Sequence, residues 1–175
     1  MKRIQDMIAQ ADMVLLGFGD EFTERRASRE DVIRAYNRVE EIIHGKPWFA
    51  VTVNTDDLIY ESKLNEFFIV APCGSEKNGN VVTMENYDES VYLPKWQFYM
   101  NWLTSTIGKK LLILELGVGL AYPSVIRMPF ERTVQFNQKA TFIRIHSKLA
   151  MTDSEIAARS YCVNAEPIAF LLGKA

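Results

Sequence analysis

Three short segments of the chain carry residue types that can hold a nucleotide, and each follows an apolar run. Gly17-Phe18-Gly19 follows Met13-Val14-Leu15-Leu16, Asn54-Thr55-Asp56-Asp57 ends the strand-like Trp48–Val53, and Gly117-Val118-Gly119 follows Leu111–Leu116. Glycines without side chains let backbone N–H groups approach a phosphate, and such turns open helices in nucleotide-binding folds. A carboxamide and a carboxylate at alternate positions, Asn54 and Asp56, can hydrogen-bond a ribose or an amide. Each segment also has a structural explanation. Gly17–Gly19 can be a plain tight turn, with Asp20 and Glu21 beside it repelling an anion. Asn54 and Asp56 can simply cap the turn that follows.

Two further residues carry chemistry. Glu115 is a carboxylate inside an aliphatic strand, so it needs a partner or a shifted pKa. Arg127 and Arg144 are available partners, and a position facing outward at the strand end is the alternative. Cys73, in Cys73-Gly74-Ser75, has no nearby histidine in the sequence to activate it as a nucleophile, and a small apolar loop residue is its simpler role. Trp96, Tyr99 and Trp102 recur at helical spacing and read as core rather than as a platform for bases.

The elements that would position these residues follow from periodicity. Ile4, Met7, Ile8 and Ala11 mark a first helix over Ile4–Ala11, followed by a strand at Met13–Leu16. Ser28, with Asp31 as its capping-box partner, opens a helix that Gly45 and Pro47 end. Strands follow at Trp48–Val53 and Phe67–Val70. Residues 71–94 form a polar excursion with a hairpin expected around Asn78-Gly79, its second strand at Val81–Met84. Pro94 opens an aromatic helix, Leu111–Leu116 is a strand, and a helix is expected over Ser124–Gln135. Thr141–Ile145 is a strand, Thr152 and Glu155 suggest a capped short helix, Tyr161–Val163 is a sixth strand, and Pro167–Leu172 closes the chain as a helical turn. Strands alternating with helices predict an α/β fold, an open parallel sheet of about six strands with helices on both faces, in a single domain over residues 1–175.

Bulk properties narrow the partners. The 175 residues carry a net charge of −2 with 48% hydrophobic content, which gives no electrostatic reason to expect nucleic acid or an anionic membrane. No run approaches the roughly 20 apolar residues of a membrane span. Two cysteines and two histidines, far apart, provide no zinc or other metal site. The expectation is a cytoplasmic protein without metal.

Taken in order, the motifs resemble the sirtuin family. That family has a Gly-Ala-Gly turn, a Gln-Asn-Ile-Asp motif, a His-Gly motif, a Gly-Thr-Ser turn and a late Ile-Asn pair. The counterparts are Gly17-Phe18-Gly19, Val53-Asn54-Thr55-Asp56, Cys73-Gly74, Gly117-Val118-Gly119 and Ile145-His146. Leu114–Gly119, Pro123 and Ile126–Glu131 are similar to segments of the macrodomain-linked bacterial sirtuins, described as protein ADP-ribosyltransferases. The resemblance implies a Rossmann-like fold and an NAD-dependent transferase or deacylase that uses NAD as substrate, with a protein or a small molecule as the further acceptor. It implies that Gly17, Phe18 and Gly19 face the pyrophosphate and that Asn54 and Asp56 face the nicotinamide ribose and carboxamide. Gly117, Val118, Gly119 and Pro123 would line the adenosine side, with His146 and Cys162 near the adenine ribose and adenine. The family's base histidine is replaced by Pro72 or Cys73, leaving Asn54, Asp56 and Cys73 as the catalytic candidates. The loop after the first turn is shortened, and the excursion at 71–94 stands in place of the zinc module. The alternatives are an inactive module binding NAD or ADP-ribose, and a folded relic whose crevice is filled by its own side chains, such as Phe18 or Tyr122.

Overall fold

The computed structural model describes residues 1–83 and 85–174. Its helices are α1 (Lys2–Gln10), α2 (Arg29–Ile43), α3 (Leu93–Ser105), α4 (Arg127–Phe136) and α5 (Pro167–Leu171). Its strands are β1 (Met13–Phe18), β2 (Trp48–Thr52), β3 (Ile69–Val70), β4 (Leu111–Leu116), β5 (Thr141–His146) and β6 (Ser160–Asn164). They form one open sheet in the order β3-β2-β1-β4-β5-β6, with every neighbouring pair parallel. This is the doubly wound α/β architecture expected from the alternating pattern.

The two faces of the sheet bury two different sets of side chains. Val14, Leu16, Phe18, Leu112 and Leu114 pack against Ile4 and Ile8 of α1, Val32 and Tyr36 of α2, and Ile168 of α5. Leu15, Phe49, Ile113 and Phe142 pack against Tyr99 of α3 and against Phe130 and Val134 of α4. Because the central strands are covered on both sides, they read as continuous apolar runs. Full burial of each such side chain contributes about 1.5–3 kcal/mol. Tyr99 is buried within this core beside Phe49, the ring centroids 5.3 Å apart, as the helical spacing of the aromatics suggested.

The chain leaves β1 toward β2 on one side, while β4 adds on the other. The order of strands therefore reverses between β1 and β4, and open α/β sheets bind ligands outside the strand C-termini at that point. The C-termini of all six strands lie along one edge, so the segments after β1, β2, β3, β4 and β5 share it.

Several local expectations are corrected. β1 runs two residues further than expected, so Gly17 and Phe18 belong to the strand and not to the turn. β3 shrinks to two residues, preceded by a 3-10 turn at Glu66–Phe68 that Asn65 caps. The turn at Asn78-Gly79 forms, with Gly79 at φ +64°, but no hairpin follows it through Thr83; Met84, also in the expected strand, lies outside the described residues. No α-helix starts at Thr152, because Asp153 takes the Glu155 N–H and only a 3-10 turn at Ala157–Arg159 follows. α4 begins at Arg127 after an irregular turn. Ser28 does cap α2, its hydroxyl accepting the Asp31 N–H at 3.3 Å. Among the described residues no helix is long and apolar enough to cross a membrane.

Candidate active site

At the switch point the turns after β1 and β4 press directly on each other. Gly19 N–H donates to the Leu116 carbonyl at 3.0 Å and Glu21 N–H to the Gly117 carbonyl at 3.1 Å. The glycines permit this contact. A Cβ on Gly19 would overlap the Gly117 backbone, and one on Gly117 would stand 2.7 Å from the Glu21 Cβ. Gly117 also sits at φ +66°, a region that side chains disfavour. Two carboxylates close the junction. Asp20 Oδ1 accepts the Gly119 N–H at 2.9 Å. Glu21, 1% exposed, accepts the Ser147 N–H at 2.8 Å and the Ser147 hydroxyl, and its carboxylate lies 3.6 Å from Arg26.

His146 lies behind this junction, 5% exposed. Its Nδ1 accepts the N–H groups of Lys148 and Leu149, both at 3.1 Å. Those donors need the Nδ1 lone pair, so the ring proton belongs on Nε2, which is buried without a partner among the described residues. Burial holds the imidazole below its usual pKa, and the 3.3 Å approach of Glu21 Oε2 to Nδ1 is a contact between acceptors in this neutral form.

Beyond β1 and β2 the edge is open. A cleft of about 270 Å³ is lined by Asp20, Glu24, Asn54, Asp56, Glu76 and Tyr122, among others. Asn54 is held by its amide, with Nδ2 donating to the Phe22 carbonyl at 2.9 Å, while its Oδ1 accepts no hydrogen bond from the described residues. Asp56 Oδ1 accepts the Leu58 N–H at 3.2 Å, and its buried Oδ2 has no partner among the described residues. Burial, with the neighbouring acids, raises the Asp56 pKa. Tyr122 also borders an apolar cleft of about 700 Å³ that reaches Cys73 and Trp96. Burial pushes the Cys73 thiol up to about 11, so it is protonated at neutral pH.

A third polar arrangement crosses the sheet under α4. The parallel register aligns Gly17 with Glu115, Glu115 with Arg144, and Arg144 with Cys162. Arg144 Nε donates to Glu115 at 2.7 Å and its Nη1 to Glu131 at 2.7 Å and to the Met151 carbonyl. The partner of Glu115 is thus Arg144, while Arg127 donates to the Val118 and Leu149 carbonyls instead. Burial raises Glu115 to about 7 against the opposing pull of Arg144.

No protein-family model matches the chain, and no curated protein matches it. Solved structures do. The chain is similar to a Sir2 solved with the inhibitor EX-527, 2′-O-acetyl-ADP-ribose and a deacetylated p53 peptide, at TM-score 0.60 and 14% identity over 100% of both chains. It is similar to Sir2Tm bound to a propionylated peptide, at TM-score 0.63 and 12% identity over 100% of this chain and 99% of that one. A Sir2 variant with a deacetylated p53 peptide and 3′-O-acetyl-ADP-ribose aligns at TM-score 0.55 and 11% identity over 98% and 96%. The fold is that of the sirtuins.

Within this sirtuin-like fold the residues singled out from sequence separate into groups. Gly17 lies inside β1 beneath α4, where a Cβ would come within 2.8 Å of Ile126 and Phe130, so its lack of a side chain serves packing. Phe18 is fully buried with Phe22 and Tyr36. Gly19, Gly117 and Gly119 meet at the junction, with Val118 packed into the α4-side core. The crevice between β1 and β4 is closed by Asp20 and Glu21, not by Phe18, and Tyr122 is 51% exposed. Cys162 sits on β6 beside Arg144, remote in register from β2, and Pro123 stands in the half-buried turn before α4. Only Asn54 and Asp56 reach the open cleft, and Cys73 lines the neighbouring apolar one. A zinc module does not fit: residues 71–94 contain a single cysteine, and no group of three metal-ligating side chains exists among the described residues. Sequence reading missed the roles of Asp20, Glu21 and Ser147. The signal was present in two acids directly after the first glycine turn.

Proposed function

We propose that this chain is a sirtuin-like binding module whose ligand enters the cleft at Asn54 and Asp56 and is held there without the family's base-assisted deacylation. The observation that carries this reading is Cys73. The residue at the position assigned to the general base is a buried thiol with its pKa raised to about 11, which at neutral pH offers no basic lone pair. The cleft beside it retains a free carboxamide oxygen on Asn54 and an unpartnered Asp56 oxygen, both suited to a nicotinamide-type amide or ribose hydroxyls. The NAD-related ligands implied by the resemblance are therefore the first probes.

Titration with NAD, ADP-ribose and nicotinamide, followed by melting temperature, tests the binding, because a ligand of the native state stabilises it by mass action. The expected outcome is a shift with a nicotinamide-containing ligand at millimolar concentration, with no free nicotinamide released from NAD on incubation. No shift with any of the three counts against the module.

A second reading has its own support in the unpartnered Asp56. As a transferase, the protein would break the bond between nicotinamide and ribose and pass ADP-ribose to a nucleophile on an acceptor protein, with Asp56 facing the nicotinamide ribose. Nicotinamide release from NAD that disappears in a folded Asp56→Ala variant would favour this reading; release unchanged by that substitution would remove Asp56 from the role.

A further inference from the structure

A phosphate bound at a glycine turn is recognised by N–H groups that have no other partner. Here two of the residues whose donors converge at the switch point, Gly119 and Ser147, are already engaged by the chain's own anions. Gly119 N–H goes to Asp20 Oδ1 at 2.9 Å, and Ser147 N–H and hydroxyl go to the Glu21 carboxylate. The glycines are occupied in the same way: Cβ atoms on Gly117 and Gly119 would collide with Glu21 and Asp20, so the space they leave is filled by this loop.

The loop is also anchored. Phe22, the residue after Glu21, is fully buried, with its ring centroid 4.6 Å from that of Tyr36 and 5.2 Å from that of Phe18. Its carbonyl accepts the Asn54 Nδ2, which ties the closed junction to the open cleft. Moving the carboxylates away would pull an aromatic ring out of the core.

We propose that Asp20 and Glu21 stand where a dinucleotide's phosphates would be held and thereby set the ligand class of the cleft: a phosphate-free base or nucleoside, neutral or cationic, and not a pyrophosphate. Asn54, 8% exposed, and Asp56 both line the cleft, and each has a side-chain oxygen that accepts no hydrogen bond from the described residues, which suits an amide donor or ribose hydroxyls. The inference rests on the proposed module for the location of the cleft, and on the carboxylates alone for the exclusion of phosphate.

Calorimetric titration with nicotinamide riboside, which is cationic and free of phosphate, and with ADP-ribose separates the two. The wild-type protein is expected to bind the riboside and to bind ADP-ribose at least tenfold more weakly. The D20A/E21A double variant, which frees both the donors and the space, is expected to gain at least tenfold in ADP-ribose affinity. ADP-ribose binding to the wild type that equals or exceeds that of the variant overturns the inference, as does no gain in the variant. A gain in the variant with no riboside binding by either protein sustains the phosphate exclusion and removes the proposed module. Should the variant not fold, amide hydrogen exchange on the wild type decides: Gly119 and Ser147 are expected to be protected without ligand and unchanged by ADP-ribose, and protection that appears only on adding ADP-ribose overturns the inference.

Discussion

The two halves of the sheet's C-terminal edge use the same side chain in opposite ways. Beyond β1, β4 and β5, the carboxylates of Asp20 and Glu21 hold backbone and hydroxyl donors and close the junction. Beyond β1 and β2, Asp56 lines an open cleft, and its buried Oδ2 has no partner among the described residues. Burial of an acceptor is costly unless it is bonded, so the bonded carboxylates of the junction hold structure, while the Asp56 oxygen, like Glu115 Oε1 under α4, is left unbonded among the described residues. The glycine turns, which resemble a ligand site most closely in sequence, fall on the structural side of that division.

Substitutions can break this contrast. The largest losses are expected in the closed half and its supports. Phe22→Ala removes the loop's anchor and is expected to cost about 3–5 kcal/mol in urea unfolding, as for other large aromatic truncations. Arg144→Met leaves Glu115 and Glu131 without the buried cation that compensates them, and a comparable loss of about 3–5 kcal/mol is expected by the same measurement. Glu21→Ala leaves the Ser147 donors without a partner at a 1% exposed position, for about 1–3 kcal/mol. Asp56→Asn should behave differently. It keeps the acceptor for Leu58 N–H and removes an unpartnered charge, so a change within about 0.5 kcal/mol of zero is expected. An Asp56→Asn loss as large as that of Glu21→Ala would erase the distinction between the halves.

The smallest effect is one of pH. Burial raises Glu115 to about 7, above the usual carboxylate range, so the folded protein binds a proton that the unfolded chain releases. Between about pH 4.5 and 7 this group therefore favours folding as pH falls, and its contribution is lost as pH rises through 7. Melting curves across that window should show a Glu115→Gln variant with a flatter pH dependence than the wild type. An unchanged slope would mean that Arg144 keeps Glu115 ionised throughout.

Much of the architecture was legible because the central strands are buried on both faces and so appear as unbroken apolar runs, Leu111–Leu116 most plainly. The Ser28 cap was legible for a local reason, a hydroxyl three residues before a free N–H. The end of β1 was not: Gly17 and Phe18 look like a turn, yet Gly17 is needed where α4 crosses the strand and Phe18 fills the opposite face. The hairpin after Asn78-Gly79 failed because a good turn does not supply a partner strand. The candidate site was legible only in part. Asn54 and Asp56 stand where a polar turn after a buried strand suggests, whereas the closure by Asp20 and Glu21 depends on Ser147, 126 residues away from Glu21 in the chain. Sequence separation of that size leaves no periodic trace.

The row formed by Gly17, Glu115, Arg144 and Cys162 bears on how the sheet assembles. Side chains alternate faces along a strand, so a slip of β4 by one residue would turn Glu115 away from Arg144 and into the aliphatic layer beneath α1 and α2, and the guanidinium would be left alone under α4. Aliphatic strands such as Leu-Leu-Ile-Leu discriminate weakly between neighbouring alignments, since one branched residue replaces another. A single charged pair in their midst, with Arg144 Nε on Glu115 at 2.7 Å, makes the slipped alignments of β4 against β5 costlier than the native one.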